Sequence, residues 1–390
     1  MTPGARVQAA IEVLDLVIAA ARANGAPADR LIADWFRTRR FAGSKDRRAV
    51  RELTYRAIRA CGEVPETGRA AMLRIAAEDP QIAALFDGAG HSPATIVAGE
   101  PVAEAGLAPR WLVDRFVASD VSETDATALL DRAPLDIRVN TLRAGRLDLP
   151  EGGERSVAAH GWRYPPETRI EQSDAYVHGA IEVQDTGSQL TCEVVAARPG
   201  DTVIDLCAGA GGKTLALAAA MENAGTLIAA DADRTRLSRL APRAERAGAT
   251  IIETVLLNPN KEAEALQRFA GAADAVLVDA PCSGTGTWRR NPEARWRLTE
   301  AQLARYAAIQ SRLLDVAAGL VRPGGRLVFV TCSLLDEEGA DQAAGFLRRH
   351  AGWRAEMPTL PAGTPRGEGL RLSPWHDGTD GFFVARFHRL

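Results

Sequence analysis

Cysteine is scarce in this chain, and the pattern of the few cysteines excludes two common uses. Their number is odd, their spacing is wide, and no C-x-x-C pair that could bind zinc or form a redox dithiol is present. The cysteines are Cys61, Cys192, Cys207, Cys282 and Cys332. A chain without a disulfide framework fits a reducing compartment. We therefore expect a cytoplasmic protein that binds no metal.

The sequence also lacks a long uncharged apolar run. The apolar stretch "VQAAIEVLDLVIAAA" (7–21) contains Glu12 and Asp15, and charges at these positions argue against a signal peptide or a membrane span. Apolar residues recur there with helical spacing, at Val7, Ile11, Leu14 and Ile18. This pattern predicts an amphipathic helix and no membrane association.

A strong excess of one charge is missing as well, since the formal net charge is −3. The local distribution is more informative. Between Arg37 and Arg59, nine basic residues face two acidic ones, a local charge of +7. Two interpretations stay open: a solvated helical face, or a surface that contacts phosphates.

The length of 390 residues favours two or three domains. Residues 1–125 are predicted to be helical, and residues 126–178 to form a small α/β module. Over residues 179–390, apolar strands alternate with amphipathic helices. This alternation predicts a parallel sheet covered on both faces, and right-handed crossovers make it a doubly wound α/β fold.

A glycine-rich string, "DLCAGAGGKT" (205–214), follows one predicted strand and begins a helix. A phosphate-binding P-loop needs glycine where Cys207 stands, and a dinucleotide fingerprint needs glycine where Thr214 stands. An acidic residue, Asp205, precedes the glycines, and Asp231 ends the next predicted strand. This arrangement is typical of S-adenosylmethionine sites, because a carboxylate at a strand end can accept both ribose hydroxyls. A purely structural glycine turn is the alternative.

Lysine is rare among the basic residues. Only three of 47 are lysine: Lys45, Lys213 and Lys261. A lysine in the glycine loop suggests a site that needs a compact ammonium group rather than a planar guanidinium. Chance is the other explanation for Lys213.

Two cysteines stand just past the ends of apolar strands, each followed by serine. Cys282 lies in "VLVDAPCSGTG" (276–286) and Cys332 in "VFVTCSLLDEEG" (328–339). The two strands are predicted to be neighbours, and ligands of such sheets bind beyond the carboxyl ends of the strands. A buried cysteine is ordinarily a small core residue, which is the interpretation we keep for the other three. Two thiols at adjacent strand ends near a methyl donor instead predict covalent catalysis.

Pyrimidine chemistry explains why a thiol is needed there. C5 of a pyrimidine is too weak a nucleophile to take a methyl group directly. A thiolate that adds to C6 makes C5 nucleophilic, and the thiolate leaves after a base removes the C5 proton. A carboxyl such as Asp279 can hydrogen-bond the N3/N4 edge of cytosine and stabilise the adduct.

Five strings together resemble the Fmu/Sun (NOL/NOP/Sun, RsmB-like) RNA cytosine-5 methyltransferases. In chain order they are "DLCAGAGGKT", "VDAPCSGTG", "RRNPEARWR", "PGGRLVFVTCSLLDEEG" and "DGFFVARF". The resemblance covers about residues 130–390. It extends to the helix "SKDRRAVRELTYRAIR" (44–59), which looks like part of the NusB-like N-terminal RNA-binding domain of the bacterial rRNA members.

The resemblance implies a Rossmann-like class I methyltransferase sheet and a role for individual residues. Cys332 would be the nucleophile that attacks C6, Cys282 would assist release of the methylated product, and Asp279 would contact the target base. The resemblance, with the loop pattern, implies that S-adenosylmethionine is held by Cys207, Ala208, Gly209, Ala210, Gly211, Gly212, Lys213, Asp231, Asn258 and Asp279.

Two of these positions depart from the family pattern. The family commonly has proline where Ala210 stands, and it usually offers an aspartate toward the adenine where Asn258 stands. An asparagine can still donate or accept a hydrogen bond, but it lacks the charge.

The substrate side is predicted from basic and aromatic residues. "TGTWRRNPEARWR" (285–297) places four arginines and two tryptophans beside the Cys282 loop, and "IRVNTLR" (137–143) adds basic surface. Guanidinium groups and indoles can contact phosphates and stack on bases. In the other interpretation, Trp288 and Trp296 only anchor the loop to the core.

The sequence therefore predicts a monomeric enzyme that methylates C5 of cytidine in RNA, with small-subunit (16S) ribosomal RNA as the expected partner. Two rival hypotheses stay open: a non-catalytic RNA-binding assembly factor, and an amino-group methyltransferase of the same fold. The latter commonly carries Asn/Asp-Pro-Pro-aromatic at the strand end where this chain has Asp-Ala-Pro-Cys (279–282).

Overall fold

A computed structural model describes residues 1–143 and 148–390, and these residues form two compact units. The units are Met1–Asp131 with Thr287–Thr299, and Arg132–Gly286 with Glu300–Leu390. Within the described residues, no helix is both long enough and apolar enough to cross a lipid bilayer. The domain boundaries at residues 125 and 178 stay predictions.

The first unit is helical. Its helices are α1 (Pro3–Arg22), α2 (Ala28–Arg37), α3 (Ser44–Ala60), α4 (Gly68–Ala76), α5 (Pro80–Ala83), α6 (Arg110–Ala118) and α7 (Glu123–Ala128). Helix α1 packs against α3 and α4, and the core between them includes the fully buried Leu14, Ile58 and Met72. The predicted all-helical N-terminal region is confirmed.

Helix α1 follows its sequence pattern closely. The Thr2 hydroxyl accepts a hydrogen bond from the Ala5 amide at 3.2 Å and so caps the helix. The positions predicted to share its apolar face are all buried: Val7, Ile11, Leu14 and Ile18.

The segment Thr287–Thr299 belongs to the first unit, although it follows the Cys282 loop in the sequence. Trp288 is 1% exposed and Trp296 is 5% exposed, while the Arg295 side chain is completely buried. The Trp288 ring packs edge-on against Phe116, with ring centroids 5.3 Å apart. The prediction that these tryptophans stack on RNA bases is therefore wrong, because their rings are core residues of a helical unit.

Hydrogen bonds hold this segment inside the first unit. Arg295 Nη2 donates to the carbonyl oxygens of Ile58 at 2.6 Å and Cys61 at 2.9 Å. The Glu293 carboxylate accepts from the Ala28 amide at 2.9 Å, at the start of α2. Burial lowers the pKa of Arg295 to about 10, so the guanidinium stays charged at neutral pH.

The second unit begins with a small antiparallel sheet. Its elements are β1 (Leu135–Val139), β2 (Glu154–Arg155), β3 (Gly161–Tyr164), α8 (Asp174–Val177) and β4 (Ile181–Val183). The strand order is β2-β3-β1-β4 among the described residues. Ile137, Tyr164 and Ile181 form the apolar core on one face of this sheet.

Arg138 does not add to a basic surface as predicted. It is only 6% exposed, and its Nε donates to Gln184 Oε1 at 2.8 Å. Burial lowers the pKa of its guanidinium. Arg143, in the same string, is exposed.

The rest of the second unit is a large sheet with helices. Its elements are α9 (Thr186–Val195), β5 (Thr202–Asp205), α10 (Gly212–Ala220), β6 (Thr226–Asp231), α11 (Arg234–Leu237), α12 (Leu240–Ala247), β7 (Ile252–Leu256), α13 (Glu262–Ala265), β8 (Ala273–Asp279), α14 (Glu300–Leu320), β9 (Val321–Thr331), α15 (Ala340–Arg349), β10 (Trp353–Ala355), β11 (Thr364–Arg366), β12 (Gly369–Leu372), α16 (Pro374–Asp377) and β13 (Phe382–Arg389).

The strand order of this sheet is β11-β12-β13-β9-β8-β5-β6-β7, and β10 pairs with β13. Strands β7, β6, β5, β8 and β9 are parallel, which confirms the predicted doubly wound, Rossmann-like fold. The sheet is mixed rather than purely parallel, because β13 runs antiparallel to β9. The chain order reverses between β5 and β8, and ligands of such sheets bind at this switch point.

Strand β8 shows why the sequence is apolar without alternation. Val276, Leu277 and Val278 are all fully buried, since successive side chains enter the cores on opposite faces of the sheet. The ends of such strands are the first positions at which polar side chains become tolerable.

Candidate active site

Four polar residues end the strands around the switch point. Asp205 ends β5, Asp231 ends β6, Asp279 ends β8 and Thr331 ends β9. Strands β8 and β9 are parallel neighbours, with Asp279 opposite Val330. The predicted adjacency of the two cysteine-bearing strands is confirmed.

The two thiols meet at this edge of the sheet. Cys282 Sγ lies 3.3 Å from Cys332 Sγ, and both side chains are partly exposed. The Gly286 amide donates to the Cys332 carbonyl oxygen at 3.0 Å and holds the two turns together. A Cβ at Gly286 would lie 2.1 Å from the Gly381 carbonyl oxygen, so this close approach requires glycine.

The environment keeps the Cys282 thiol protonated. Its pKa is raised well above the ordinary value by the hydrogen bond with Cys332, by burial and by the Glu338 carboxylate. Cys282 therefore presents an S–H group beside the Cys332 sulfur at neutral pH.

Glu338 organises the polar groups behind the thiols. Its side chain is completely buried and accepts hydrogen bonds from the Ser283 amide at 2.8 Å and from the Ser283 hydroxyl. Gln310 Nε2, on α14, donates to Glu338 at 3.1 Å and to the Pro281 carbonyl oxygen at 2.9 Å. These bonds fix the loop that carries Cys282.

Hydroxyl groups complete the link between the two cysteine turns. The Thr285 and Ser333 hydroxyl oxygens are 2.9 Å apart, and Thr285 Oγ1 accepts from the Leu334 amide at 3.1 Å. The serine after each cysteine is thus a structural partner of the opposite turn.

Lys213 and Asp279 form an ion pair at the same edge, with Nζ 2.8 Å from Oδ2. Burial alone would lower the pKa of Lys213, but the charge of Asp279 and the hydrogen bond to it raise the pKa above its usual range. Lys213 is therefore a permanent cation near the Cys332 sulfur, and its ammonium also lies 5.6 Å from the Phe382 ring centroid.

The glycine loop lies between Asp205 and Asp231. The Gly209 amide donates to Asp231 Oδ2 at 2.7 Å, and the Ala208 amide donates to the Ala230 carbonyl oxygen at 2.9 Å. Gly211 caps helix α10 with φ of +87°, a conformation that favours glycine.

The two residues that flank this cap differ in their surroundings. A Cβ on Gly212 would meet no atom within 4 Å, so open space lies over the first turn of α10. The carbonyl oxygen of Ala210 accepts from Arg243 Nη1 at 2.7 Å. Burial raises the pKa of the Cys207 thiol well above its ordinary value, so this thiol is protonated at neutral pH.

A family model described as 16S rRNA methyltransferase RsmB/F matches residues 192–388. This range covers β5 to β12, all but the last residue of β13, and both thiol turns. The chain belongs to this family.

Individual proteins of known name or structure support the same family assignment. The "Ribosomal RNA small subunit methyltransferase B" of Xylella fastidiosa is 35% identical over 303 residues, 73% of this chain and 70% of the relative. The "Probable ribosomal RNA small subunit methyltransferase B" of Synechocystis is 33% identical over 301 residues, 72% of this chain. This chain spans only 66% of that relative's length. The crystal structure of PH0851 matches with a TM-score of 0.80 and 27% identity, covering 100% of this chain and 99% of that one.

The RsmB/F site contains residues that the sequence interpretation missed. Glu338, Thr214 and Arg243 each bond to a predicted site segment: the Cys282 loop, Asp205 and the glycine loop respectively. Glu338 lies within the string 328–339 that carries the family resemblance. Nothing in the sequence, however, indicates that this glutamate is completely buried.

Asn258 lies at the edge of the site region. It is exposed and follows β7, whose last residue, Leu256, pairs with Asp231. Its carbonyl oxygen accepts from the Lys261 amide at 2.9 Å. Its predicted contact with a cofactor stays a prediction.

Replacing Glu338 by glutamine is expected to lower the rate of methyl transfer about 10- to 100-fold. Glutamine keeps the size but exchanges one accepting oxygen for an NH2 group, so the Cys282 loop loses a bond from Ser283. Steady-state kinetics should show a lower kcat with an unchanged KM for the methyl donor. Glu337→Gln, at a partly exposed neighbouring glutamate, is the control. Equal kcat values for E338Q and E337Q would contradict the positioning role.

Asp205 makes the stability of the protein depend on pH. Burial raises the pKa of the Asp205 carboxyl to about 7, although the hydrogen bond from the Thr214 hydroxyl lowers it. In an unfolded chain the same carboxyl has a pKa of about 4. Between these values the folded chain keeps a proton that the unfolded chain loses, so the free energy of unfolding falls as pH rises, by up to about 1.4 kcal/mol per pH unit.

Asp205→Asn is expected to remove this dependence. Thermal midpoints of both proteins, measured from pH 4.5 to 8, should diverge in favour of the variant as pH rises. Parallel curves would show that Asp205 does not titrate in this range.

Proposed function

We propose that this protein is an S-adenosylmethionine-dependent RNA methyltransferase that acts on C5 of cytidine, with small-subunit ribosomal RNA as substrate. One observation carries the proposal: two thiols 3.3 Å apart at the ends of neighbouring strands, beside the Lys213–Asp279 ion pair. The Xylella and Synechocystis relatives, which are named as methyltransferases of small-subunit ribosomal RNA, support the RNA substrate.

Cys332 is the proposed nucleophile. Its thiolate forms a bond to C6, and the electrons of the C5–C6 double bond move to C5. C5 then bonds to the methyl group as the methyl–sulfur bond of the donor breaks, a base removes the C5 proton, and the C6–S bond breaks to restore the ring. When bound, S-adenosylmethionine supplies that methyl group in electrophilic form on a sulfonium. Lys213 places a positive charge near the Cys332 sulfur.

Cys282 is the proposed partner in product release. Its raised pKa keeps the thiol protonated, so it can donate a hydrogen bond to the Cys332 sulfur. Donation to the leaving sulfur stabilises the negative charge that develops when the C6–S bond breaks.

Asp279 is the proposed contact to the base. The Lys213 ammonium holds one oxygen, Oδ2, and the carboxylate is 31% exposed, so it remains open to a ligand. A carboxylate accepts hydrogen bonds from the exocyclic amino group of cytosine. This acceptor favours cytosine over uracil, which offers an oxygen at that position.

The residues present fit S-adenosylmethionine. Asp205 Oδ1 is buried and has no hydrogen-bond partner among the described residues, which suits an amino group of the methionine part. The open space over Gly212 lies at the N-terminus of α10, which favours a carboxylate. Asp231 would bind the ribose hydroxyls, and the run from Cys207 to Lys213 would hold the cofactor with it.

Locating the transferred methyl group tests the proposal. Cytidine-containing rRNA incubated with the protein and tritiated methyl donor should, after digestion to nucleosides, carry the label as 5-methylcytidine. Label on an exocyclic nitrogen would favour the amino-group methyltransferase. Binding of rRNA with no transfer under any condition would favour the assembly factor.

A further inference from the structure

Eight of the nine basic residues between Arg37 and Arg59 divide into two groups. The ninth, Arg59, donates to the Arg289 carbonyl oxygen at 3.5 Å. Members of the first group form ion pairs with carboxylates of the first unit. The pairs are Arg37–Asp34 at 3.2 Å, Arg39–Glu12 at 3.2 Å, Arg51–Asp29 at 2.7 Å and Arg56–Asp79 at 2.8 Å. Four of the nine local cations are thus paired with carboxylates in the fold.

The second group keeps its charge unpaired. Arg40, Lys45, Arg47 and Arg48 are exposed, and in the described part of the chain none of them pairs with a carboxylate. Arg47 donates to the Ala42 carbonyl oxygen at 3.1 Å, which fixes its position without neutralising it. All four lie in the connection from α2 to α3 or in the first turns of α3.

An exposed aromatic ring stands among these cations. Phe41 is 74% exposed, which is unusual for phenylalanine. It borders a surface cleft with a volume of about 840 Å³, lined also by Trp35, Arg39 and His91. The Arg39 guanidinium lies 3.9 Å from the Trp35 ring centroid in the wall of this cleft.

We propose that this surface binds a single-stranded stretch of RNA, with one base stacked on Phe41 and phosphates on the four unpaired cations. We call it the Phe41 platform; it consists of Phe41, Arg40, Lys45, Arg47 and Arg48. Proteins that bind single strands combine stacking aromatics with unpaired cations in this way. The inference rests on the proposed function, which requires an RNA substrate, but it concerns a different site.

Charge selects this occupant over a second copy of the chain. Two copies joined through the Phe41 platform would bring eight unpaired cations together, and like charges at such a contact oppose association. A single-stranded RNA can place phosphates against the four cations and stack a base on the Phe41 ring.

The stacking part is tested with a short single-stranded RNA that contains 2-aminopurine. Its fluorescence should be quenched on binding to the full chain, without methyl donor. Phe41→Leu is expected to remove this quenching and weaken binding about 5- to 100-fold, whereas Phe41→Trp restores both. Val117→Ala, at another residue that is 71% exposed in the first unit, is the matched control and should bind like the wild type.

The charge part is tested by the salt dependence of binding. The triple variant Arg40→Gln, Lys45→Gln, Arg48→Gln is expected to reduce the slope of log Kd against log salt by about 2, since each phosphate contact contributes about 0.7 for single strands. The control variant Arg37→Gln, Arg51→Gln, Arg56→Gln removes the same number of cations from the paired group and should change the slope by less.

These binding assays separate the platform from the proposed catalysis. Unchanged quenching and affinity in F41L, with an unchanged slope in the triple variant, would overturn the platform even if methyl transfer is normal. Quenching that depends on Phe41 supports it even if the label never reaches C5. A change in sedimentation of F41L without a change in RNA affinity would assign the surface to protein contacts and overturn the proposal.

Discussion

Replacing Cys332 by alanine is expected to reduce methyl transfer by at least about 10⁴-fold, because no other group of the site can form the bond to C6. Cys282 does not substitute, since its raised pKa keeps it protonated. The affinity of the variant for the methyl donor should stay within about twofold of the wild-type affinity. Among the described residues, Cys332 makes no hydrogen bond to the loop from Cys207 to Lys213. Single-turnover transfer and equilibrium binding of the donor measure the two effects.

Cys282→Ala is the matched partner of this variant. It removes a thiol of the same size 3.3 Å away, but it leaves the nucleophile in place. The expected result is a covalent RNA–protein complex that survives denaturing electrophoresis, because release of the product is slowed. Normal transfer by Cys332→Ala would contradict the assignment of the nucleophile, and so would a covalent complex formed by that variant.

Replacing Arg295 by alanine is expected to destabilise the first unit by about 3 kcal/mol or more. The side chain is completely buried and donates to the carbonyl oxygens of Ile58 and Cys61, so its removal leaves a cavity and unpaired acceptors. The effect should appear as faster amide hydrogen exchange in α3 and in Thr287–Thr299, at temperatures where the second unit remains protected.

Arg30→Ala is the control for this experiment. The Arg30 side chain is 74% exposed and lies 3.9 Å from Asp34 on the same helix, so its loss should cost less than about 0.5 kcal/mol. Equal protection of α3 in R295A and in R30A would show that the buried guanidinium is dispensable.

Much of the second unit could be predicted from its strands. Runs such as 276–278 are apolar without alternation, and this pattern requires helices on both faces of a parallel sheet. Polar residues that end such runs then fall at one edge, which is why Asp205, Asp231, Asp279 and the two cysteines could be selected. The antiparallel strand β13 was not predicted, because strand direction depends on pairing rather than on local sequence.

Burial of the segment 287–299 could not be predicted in the same way. Tryptophan and arginine side chains suit a nucleic-acid surface and a protein core equally well, and only the tertiary fold decides. Trp288 and Arg295 pack with residues more than 170 positions earlier in the chain, such as Phe116 and Cys61. The burial of Arg138 and Glu338 was not predicted for the related reason that charged residues are seldom buried.

The most direct test of the covalent mechanism is to find which sulfur atom carries the RNA. RNA with 5-fluorocytidine has no C5 proton to lose, so after methyl transfer the adduct should persist. Trypsin separates the two candidates, since Cys332 lies in peptide 327–348 and Cys282 in peptide 269–289. Mass spectrometry should find the nucleotide on peptide 327–348, at Cys332. Attachment at Cys282, or methylated product without any adduct, would contradict the account.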